Sequence, residues 1–267
     1  MLPIKTVYYT DEQNDEFSTA KITPKYIDES WNYLPCGRRW RVKRFFLYRL
    51  LAHPIGWIYL KIKFGWRVKN RRILKKIPKL QGCFLYGNHT QAIADAFVPS
   101  LSVFPRPVYT IVHPNNVSIP VLGALNAYMG ALPVPNTLKS ARNFQTAIST
   151  RYNEGNGLMI YPEAHIWPYF IGIRNFPETA FRYPVYCNAP CVVVTNTYQR
   201  RRWRKVPRLV TYLDGPFYPD RTLQPKAAAK GLRNQVYEVM KGRSLQSDCE
   251  YIRYIPRKNE EEGEMVK

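Results

Sequence analysis

Acidic residues are scarce in this chain: 19 Asp and Glu stand against 40 Lys and Arg, giving a net charge of +21. The shortage is uneven. Arg38 to Lys79 holds fifteen Lys or Arg and no Asp or Glu, and a second cluster gathers Arg200, Arg201, Arg202, Arg204, Lys205 and Arg208. These segments cannot neutralise themselves, so they point to a polyanion, either an anionic membrane leaflet or nucleic acid. Long apolar runs are missing too. The richest stretch, Phe45 to Leu60, is interrupted by Arg49, His53 and Pro54, which argues against a membrane-spanning helix of about 20 apolar residues. Met1 to Ile27 lacks the apolar stretch of a secretory leader and carries several acids. The five cysteines include one pair four apart, Cys187 and Cys191, with no second pair to complete a zinc ribbon. Free thiols in a reducing compartment are expected.

What is present falls into four segments: an N-terminal arm (1–37), a basic amphipathic segment (38–79), an α/β core (80–216), and a C-terminal helix with an acidic tail (217–267). In the basic segment Val42, Phe45 or Phe46, and Leu50 recur at helical spacing, and Pro54 predicts a break before a second apolar stretch, Ile55 to Phe64. Phe45, Phe46, Trp57 and Trp66 lie among cations, the pattern of an amphipathic helical hairpin at a lipid interface. The alternative is a helix packed on the core with a solvated basic face. Beyond Lys79, short apolar runs at Cys83–Tyr86, Val108–His113, Gly130–Val134, Leu158–Tyr161, Cys191–Asn196 and Leu209–Leu213 read as strands. Helical spacing links Ala141, Phe144, Ile148 and Tyr152, and again Leu232, Val236 and Val239. Alternation of this kind predicts a mixed, largely parallel sheet covered by helices on both faces. The Glu260–Glu264 tail is expected to be disordered.

Two strand ends carry the chemistry. Asn88-His89 follows the first run of the core, and a helix from about Thr90 to a point before Pro99 is expected to carry Asp95. Sites in open α/β sheets gather at the carboxyl ends of strands. Imidazole, with an ordinary pKa of about 6.5, suits general-base work there, and a nearby carboxylate can fix its tautomer and stabilise the imidazolium. The second end is Tyr161-Pro162-Glu163-Ala164-His165, where Glu163 is placed to hydrogen-bond a substrate hydroxyl or orient a cation. Competing accounts are a surface histidine beside a helix, a glutamate exposed in a turn, or a divalent-metal set made of His89, Asp95, Glu163 and His165. The last lacks tight ligand spacing, and no metal is called for.

Taken together, these residues resemble the glycerophosphate and lysophosphatidic acid acyltransferases. Gly87-Asn88-His89 with Asp95 is similar to the family's first motif, Asn-His-x4-Asp, and Tyr161-Pro162-Glu163 to its third, Phe-Pro-Glu-Gly-Thr-Arg. Met129 to Val134 stands where the second belongs, and Ala189 to Val194 resembles the fourth. The resemblance runs over roughly residues 80–216, and the basic segment before them resembles membrane-docking helices of bacterial members. It implies a peripheral enzyme on the cytoplasmic face of the cell membrane, bound to anionic lipid. It would move a fatty acyl chain from acyl-CoA or acyl-carrier protein to a hydroxyl of lysophosphatidic acid or a related glycerolipid. His89 and Asp95 would be catalytic, Asn88 and Glu163 would help to bind substrate, and backbone donors near the strand ends would hold the oxyanion. The acyl donor is a cosubstrate; no cofactor and no nucleic acid is implied.

The departures are specific. Five residues, not four, separate His89 from Asp95, and one extra helical residue rotates a side chain by about 100°. Either the helix starts later, leaving His89 on a loop, or the pair is broken. The third motif has Ala164, His165 and Ile166 in place of its Gly, Thr and Arg, so an acceptor phosphate needs another cation. Arg174 is the first candidate, followed by Lys139 and Arg142. A nucleic-acid binder, and a catalytically inactive membrane-docking relative, are the alternatives.

Overall fold

The computed structural model describes residues 4–17, 22–120 and 122–257; the acidic tail therefore lies outside the described residues. The chain forms strand β1 (Lys5–Tyr9), helix α1 (Arg38–Arg44), a π-helical segment (Phe45–Ala52), α2 (His53–Phe64), β2 (Arg67–Lys69), β3 (Cys83–Gly87), α3 (Ala94–Ser102), β4 (Val108–Val112), α4 (Asn115–Ser118), α5 (Leu122–Tyr128) and β5 (Ala131–Pro133). There follow α6 (Leu138–Asn153), β6 (Gly157–Ile160), α7 (Arg182–Cys187), β7 (Cys191–Gln199), β8 (Arg208–Phe217), α8 (Pro225–Ser244) and β9 (Ile252–Pro256).

Seven strands make one sheet in the order β2-β8-β7-β3-β6-β4-β5. Every neighbouring pair is parallel except β7 and β8. The central strand β3 is buried along its whole length, as continuous apolar runs in a sheet covered on both faces should be. Its residues alternate between two cores. Phe84 and Tyr86 join Phe144 and Ile148 of α6 and Leu232 and Val236 of α8. Cys83 and Leu85 join Leu60 and Phe64 of α2 and Ala94 and Val98 of α3. Each Leu, Ile, Val or Phe among them, removed fully from water, contributes roughly 1.5–3 kcal/mol. Helix α6 begins where Thr137 accepts a hydrogen bond from Ser140 N at 3.0 Å, an N-cap.

The basic segment departs from expectation in two ways. No break occurs at Pro54: the backbone stays helical from Arg38 to Phe64, widened into a π-helix at Phe45–Ala52. Pro54 falls where the π-helical segment passes into α2, so the ring and the missing N–H sit at the widened turn of a continuous run. The run ends at Gly65, whose φ of 55° is left-handed, with Gly65 N bonded to Lys61 O at 2.9 Å and Trp66 N to Leu60 O at 3.1 Å. This terminal motif turns the chain into β2, which pairs with β8. The segment thus supplies an edge strand of the core sheet as well as helices.

The arm also has more structure than its aperiodic sequence suggests. Strand β1 pairs in parallel with β9 in a separate two-stranded sheet. Ile27 is fully buried, its N–H donating to Asn136 Oδ1 at 2.8 Å.

Candidate active site

His89 leaves the carboxyl end of β3 on a loop, not a helix, because α3 starts only at Ala94. The turn between them absorbs the additional residue. Asp95 N donates back to Gln91 O at 3.1 Å, and Asp95 Oδ2 accepts from Thr90 N and Gln91 N, each at 2.9 Å. The same oxygen meets His89 Nδ1 at 2.8 Å. Thus the carboxylate that closes the turn also holds the imidazole, and the two side chains meet despite the changed spacing. Helix α3 continues through Pro99 to Ser102, further than Pro99 suggested.

Each group is fixed from outside. Gly87 gives the chain room: a Cβ there would lie 2.5 Å from Met159 Cε and 3.0 Å from Val194 O. Asn88 extends the pairing of β3 with β7 through its side chain, accepting from Asn196 N at 2.8 Å and donating to Asn196 O at 3.0 Å. It is 1% exposed, so the substrate contact expected of it is replaced by this structural one. Asn196 then donates from Nδ2 to Asp95 Oδ1 at 3.2 Å and accepts at Oδ1 from Thr211 Oγ1 at 2.7 Å. Thr211 in turn accepts from Trp66 Nε1 at 2.9 Å. Trp66, expected at a lipid-facing surface, is therefore an interior residue at 4% exposure, anchored to the hydrogen bonds behind Asp95.

The His89 ring stacks on Tyr161, with centroids 4.3 Å apart, and Tyr161 OH donates to Asp95 O at 2.7 Å. With Nδ1 facing a carboxylate, Nδ1 carries the proton and Nε2 presents its lone pair. Nε2 has no hydrogen-bond partner among the described residues, and the side chain is 18% exposed. An imidazole so held can accept a proton from a hydroxyl brought to that edge.

Glu163 sits beneath the loop. Its Oε2 accepts from His89 N at 3.0 Å and its Oε1 from Arg174 N at 2.9 Å. Burial pushes its carboxyl above the usual range, against the lowering influence of Arg174 and of these two backbone donors. Arg174 is 1% exposed. It lies 3.7 Å from Glu163 Oε2 and over the Trp167 ring, and bonds the carbonyls of Glu12 and His165. Both residues were expected to face substrate. Instead they form a buried ion pair that ties the 163–174 loop to the arm and to His89, and Arg174 is not placed to meet an acceptor phosphate. Lys139 and Arg142 are exposed on α6, Lys139 within 3.6 Å of Glu29. Their helix follows β5, three strand steps from β3, or about 14 Å across the sheet.

Backbone donors beside His89 are also occupied. The N–H groups of His89, Thr90 and Gln91 all reach carboxylates, so an oxyanion must find other donors. His165 pairs with Glu16 at 3.2 Å, away from the His89 pair. Among the described residues no three His, Cys, Asp or Glu converge as a metal set. Sequence reasoning gave no role to Tyr161, Asn196 or Tyr198, whose hydroxyl bonds Thr90 Oγ1 at 2.8 Å. Their only sequence signal is a polar or aromatic residue closing an apolar strand.

Comparison with known proteins places this geometry in a fold. No family model matches the sequence, and no curated protein matches it. Among solved structures the chain is similar to the 1-acyl-sn-glycerophosphate (LPA) acyltransferase PlsC from Thermotoga maritima, with a TM-score of 0.56 at 14% identity over 80% of this chain and 85% of that one. At that identity the likeness is one of fold alone, a mixed, mostly parallel α/β sheet with helices.

Proposed function

We propose that this protein is a peripheral membrane O-acyltransferase that moves a fatty acyl chain from a thioester, acyl-CoA or acyl-carrier protein, to a hydroxyl of lysophosphatidic acid or a related glycerolipid. The observation that carries the reading is the 2.8 Å contact between His89 Nδ1 and Asp95 Oδ2, with Nε2 left unpartnered at a sheet's carboxyl edge. His89 Nε2 takes the proton of the acceptor hydroxyl. The oxygen attacks the thioester carbonyl, the C–S bond breaks, and the imidazolium returns its proton to the departing thiolate. Asp95 stabilises the imidazolium between these steps. Glu163 and Arg174 act as positioning residues, and Lys139 and Arg142 remain the candidates for an acceptor phosphate.

Support for docking on the anionic cytoplasmic leaflet comes from the helical run 38–64. Val42, Phe45, Phe46, Leu50, Leu51, Ile55, Trp57, Ile58 and Ile62 are each 48–68% exposed along it, beside cations with no acid to offset them. Apolar burial and headgroup attraction act together on such a surface. No helix among the described residues is long and apolar enough to cross a membrane. Nucleic-acid binding has less support, because it leaves this apolar face without a role.

The test is His89→Ala assayed for thioester-dependent acylation of a panel of glycerolipid acceptors, with folding checked by circular dichroism. Loss of turnover in a folded variant is expected; unchanged turnover ends the proposal.

A further inference from the structure

A cavity of about 750 Å³ opens at the end of the sheet opposite His89. Its walls include Pro107 and Tyr109 at the start of β4, Asn156 just before β6, and the last turn of α6. Since β3, β6 and β4 are parallel, this is the edge opposite His89, about 15 Å away along strands of this length. The fourth wall is the basic helical run.

The cavity is cationic. Arg41, Arg44, Arg49 and Arg151 line it against one carboxylate, Glu154. Glu154 is taken by Arg151 Nη1 at 2.9 Å. Arg44 and Arg151 crowd one ring, their Cζ atoms 4.5 and 4.6 Å from the Tyr109 centroid. Arg44 also lies 5.1 Å from the Tyr48 centroid. Ring faces attract cations but supply no hydrogen-bond acceptor in the guanidinium plane. Consistent with that, Arg44 Nε and Nη2, Arg49 Nη1 and Arg151 Nε are buried without an acceptor among the described residues. Arg151 is only 9% exposed, so its charge is held there by the fold. Buried unpaired donors on charged groups are costly. Four guanidinium side chains line this one cavity against a single carboxylate that Arg151 already holds, and that surplus of charge marks the place for an anion.

The chemistry selects the anion. A carboxylate brings one charge and two acceptor atoms. A phosphate monoester brings close to two charges at neutral pH and three terminal oxygens, which suit several planar guanidinium forks at once. We propose that this cavity is a phosphate-binding site distinct from the His89 site, taking a phosphate monoester borne by a small soluble molecule or by a lipid headgroup. The exposed Phe45 at its rim places an apolar surface where the remainder of a lipid would lie.

The experiment is equilibrium dialysis of the full chain, at fixed ionic strength, against radiolabelled inorganic phosphate and against dihexanoyl phosphatidic acid below its micellar concentration. One saturable site is expected, with Arg44→Gln weakening it at least tenfold and Arg202→Gln, on the exposed second basic cluster, leaving it unchanged. Comparable affinity for both probes assigns the site to soluble phosphates; preference for phosphatidic acid assigns it to lipid. Should Arg44→Gln lose its thermal transition, Arg44→Lys keeps the charge without the planar fork and is expected to bind several-fold more weakly. Non-saturable binding of both probes, full affinity in a folded Arg44 variant, or an equal loss in Arg202→Gln overturns the proposal.

Discussion

Replacing Asp95 by Asn separates the two duties of this carboxylate. Oδ2 accepts from His89 Nδ1, Thr90 N and Gln91 N, while Oδ1 accepts from Asn196 Nδ2. An amide has one acceptor oxygen and one NH2 group. Facing three donors on one side and one on the other, the Asn oxygen must take the Oδ2 position, because the reverse opposes three donor pairs. His89 keeps its hydrogen bond and its tautomer but loses the negative charge opposite the imidazolium. Asn196 Nδ2 is left against another donor. An unsatisfied buried donor costs about 1–3 kcal/mol, partly offset because the buried carboxylate no longer has to be desolvated. A net destabilisation of about 1–2 kcal/mol is expected. Loss of imidazolium stabilisation falls on the chemical step, where general-base catalysis contributes about 10²–10⁴-fold. A fall in kcat of about 10³, or about 4 kcal/mol, with KM little changed, is therefore expected. The assay is thiol release from acyl-CoA with a lysophosphatidic acid acceptor, paired with urea denaturation of the same preparation. If Asp95→Asn retains kcat within tenfold of wild type while His89→Ala is inactive, the carboxylate does not stabilise the imidazolium and the argument fails.

Other expectations follow from the same contacts. Gly87→Ala places a methyl against Val194 O and Met159; overpacking of this kind costs about 1–3 kcal/mol, and the denaturation midpoint should fall, with activity lost through the displaced His89 loop. Phe45→Ser combined with Phe46→Ser should weaken sedimentation with anionic vesicles at least tenfold, whereas Trp66→Phe should leave it unchanged and instead lower stability by about 1–2 kcal/mol through the lost bond to Thr211. Equal vesicle binding by both variants would remove the helical run as the docking surface. His53 has no hydrogen-bond partner for either ring nitrogen among the described residues and is 6% exposed; burial, helped by Arg49, lowers its pKa from 6.5 to about 4. Between those values the unfolded chain binds a proton that the native state refuses, so stability should fall as pH drops from about 6.5 to about 4, by about 2–3 kcal/mol from this group. His53→Phe should flatten that segment of the pH–stability curve, and an unchanged curve would refute the assignment.

The apolar runs were enough to determine the class of fold. Cys83–Tyr86 and Leu158–Tyr161 carry too few polar residues to face water on either side, so they had to be central parallel strands with a polar residue at each exit. That logic alone puts His89 and Glu163 at one sheet edge. The basic, acid-free stretch was equally legible, because charge and apolar spacing are local properties. Strand β2 was not: three residues between a helix and a cluster of cations carry no period, and only pairing with β8 makes them a strand. The arm's β1 likewise exists through β9, more than 240 residues away.

Partnership within the site was a matter for tertiary structure alone. Residue types nominated His89 and Asp95, but the altered spacing left their contact undecided until the turn at Gln91–Ile93 took up the additional residue and let Asp95 reach back to the ring. Trp66 and Arg174 read as surface cation-and-aromatic chemistry in one dimension. Burial reversed both, since an indole N–H and a guanidinium can enter an interior when Thr211 and Glu163 are there to receive them. Sequence fixes which groups a segment can offer and how often it turns an apolar side inward; whether an offered group meets solvent, substrate or a buried partner depends on residues a hundred positions away, and that depends on packing.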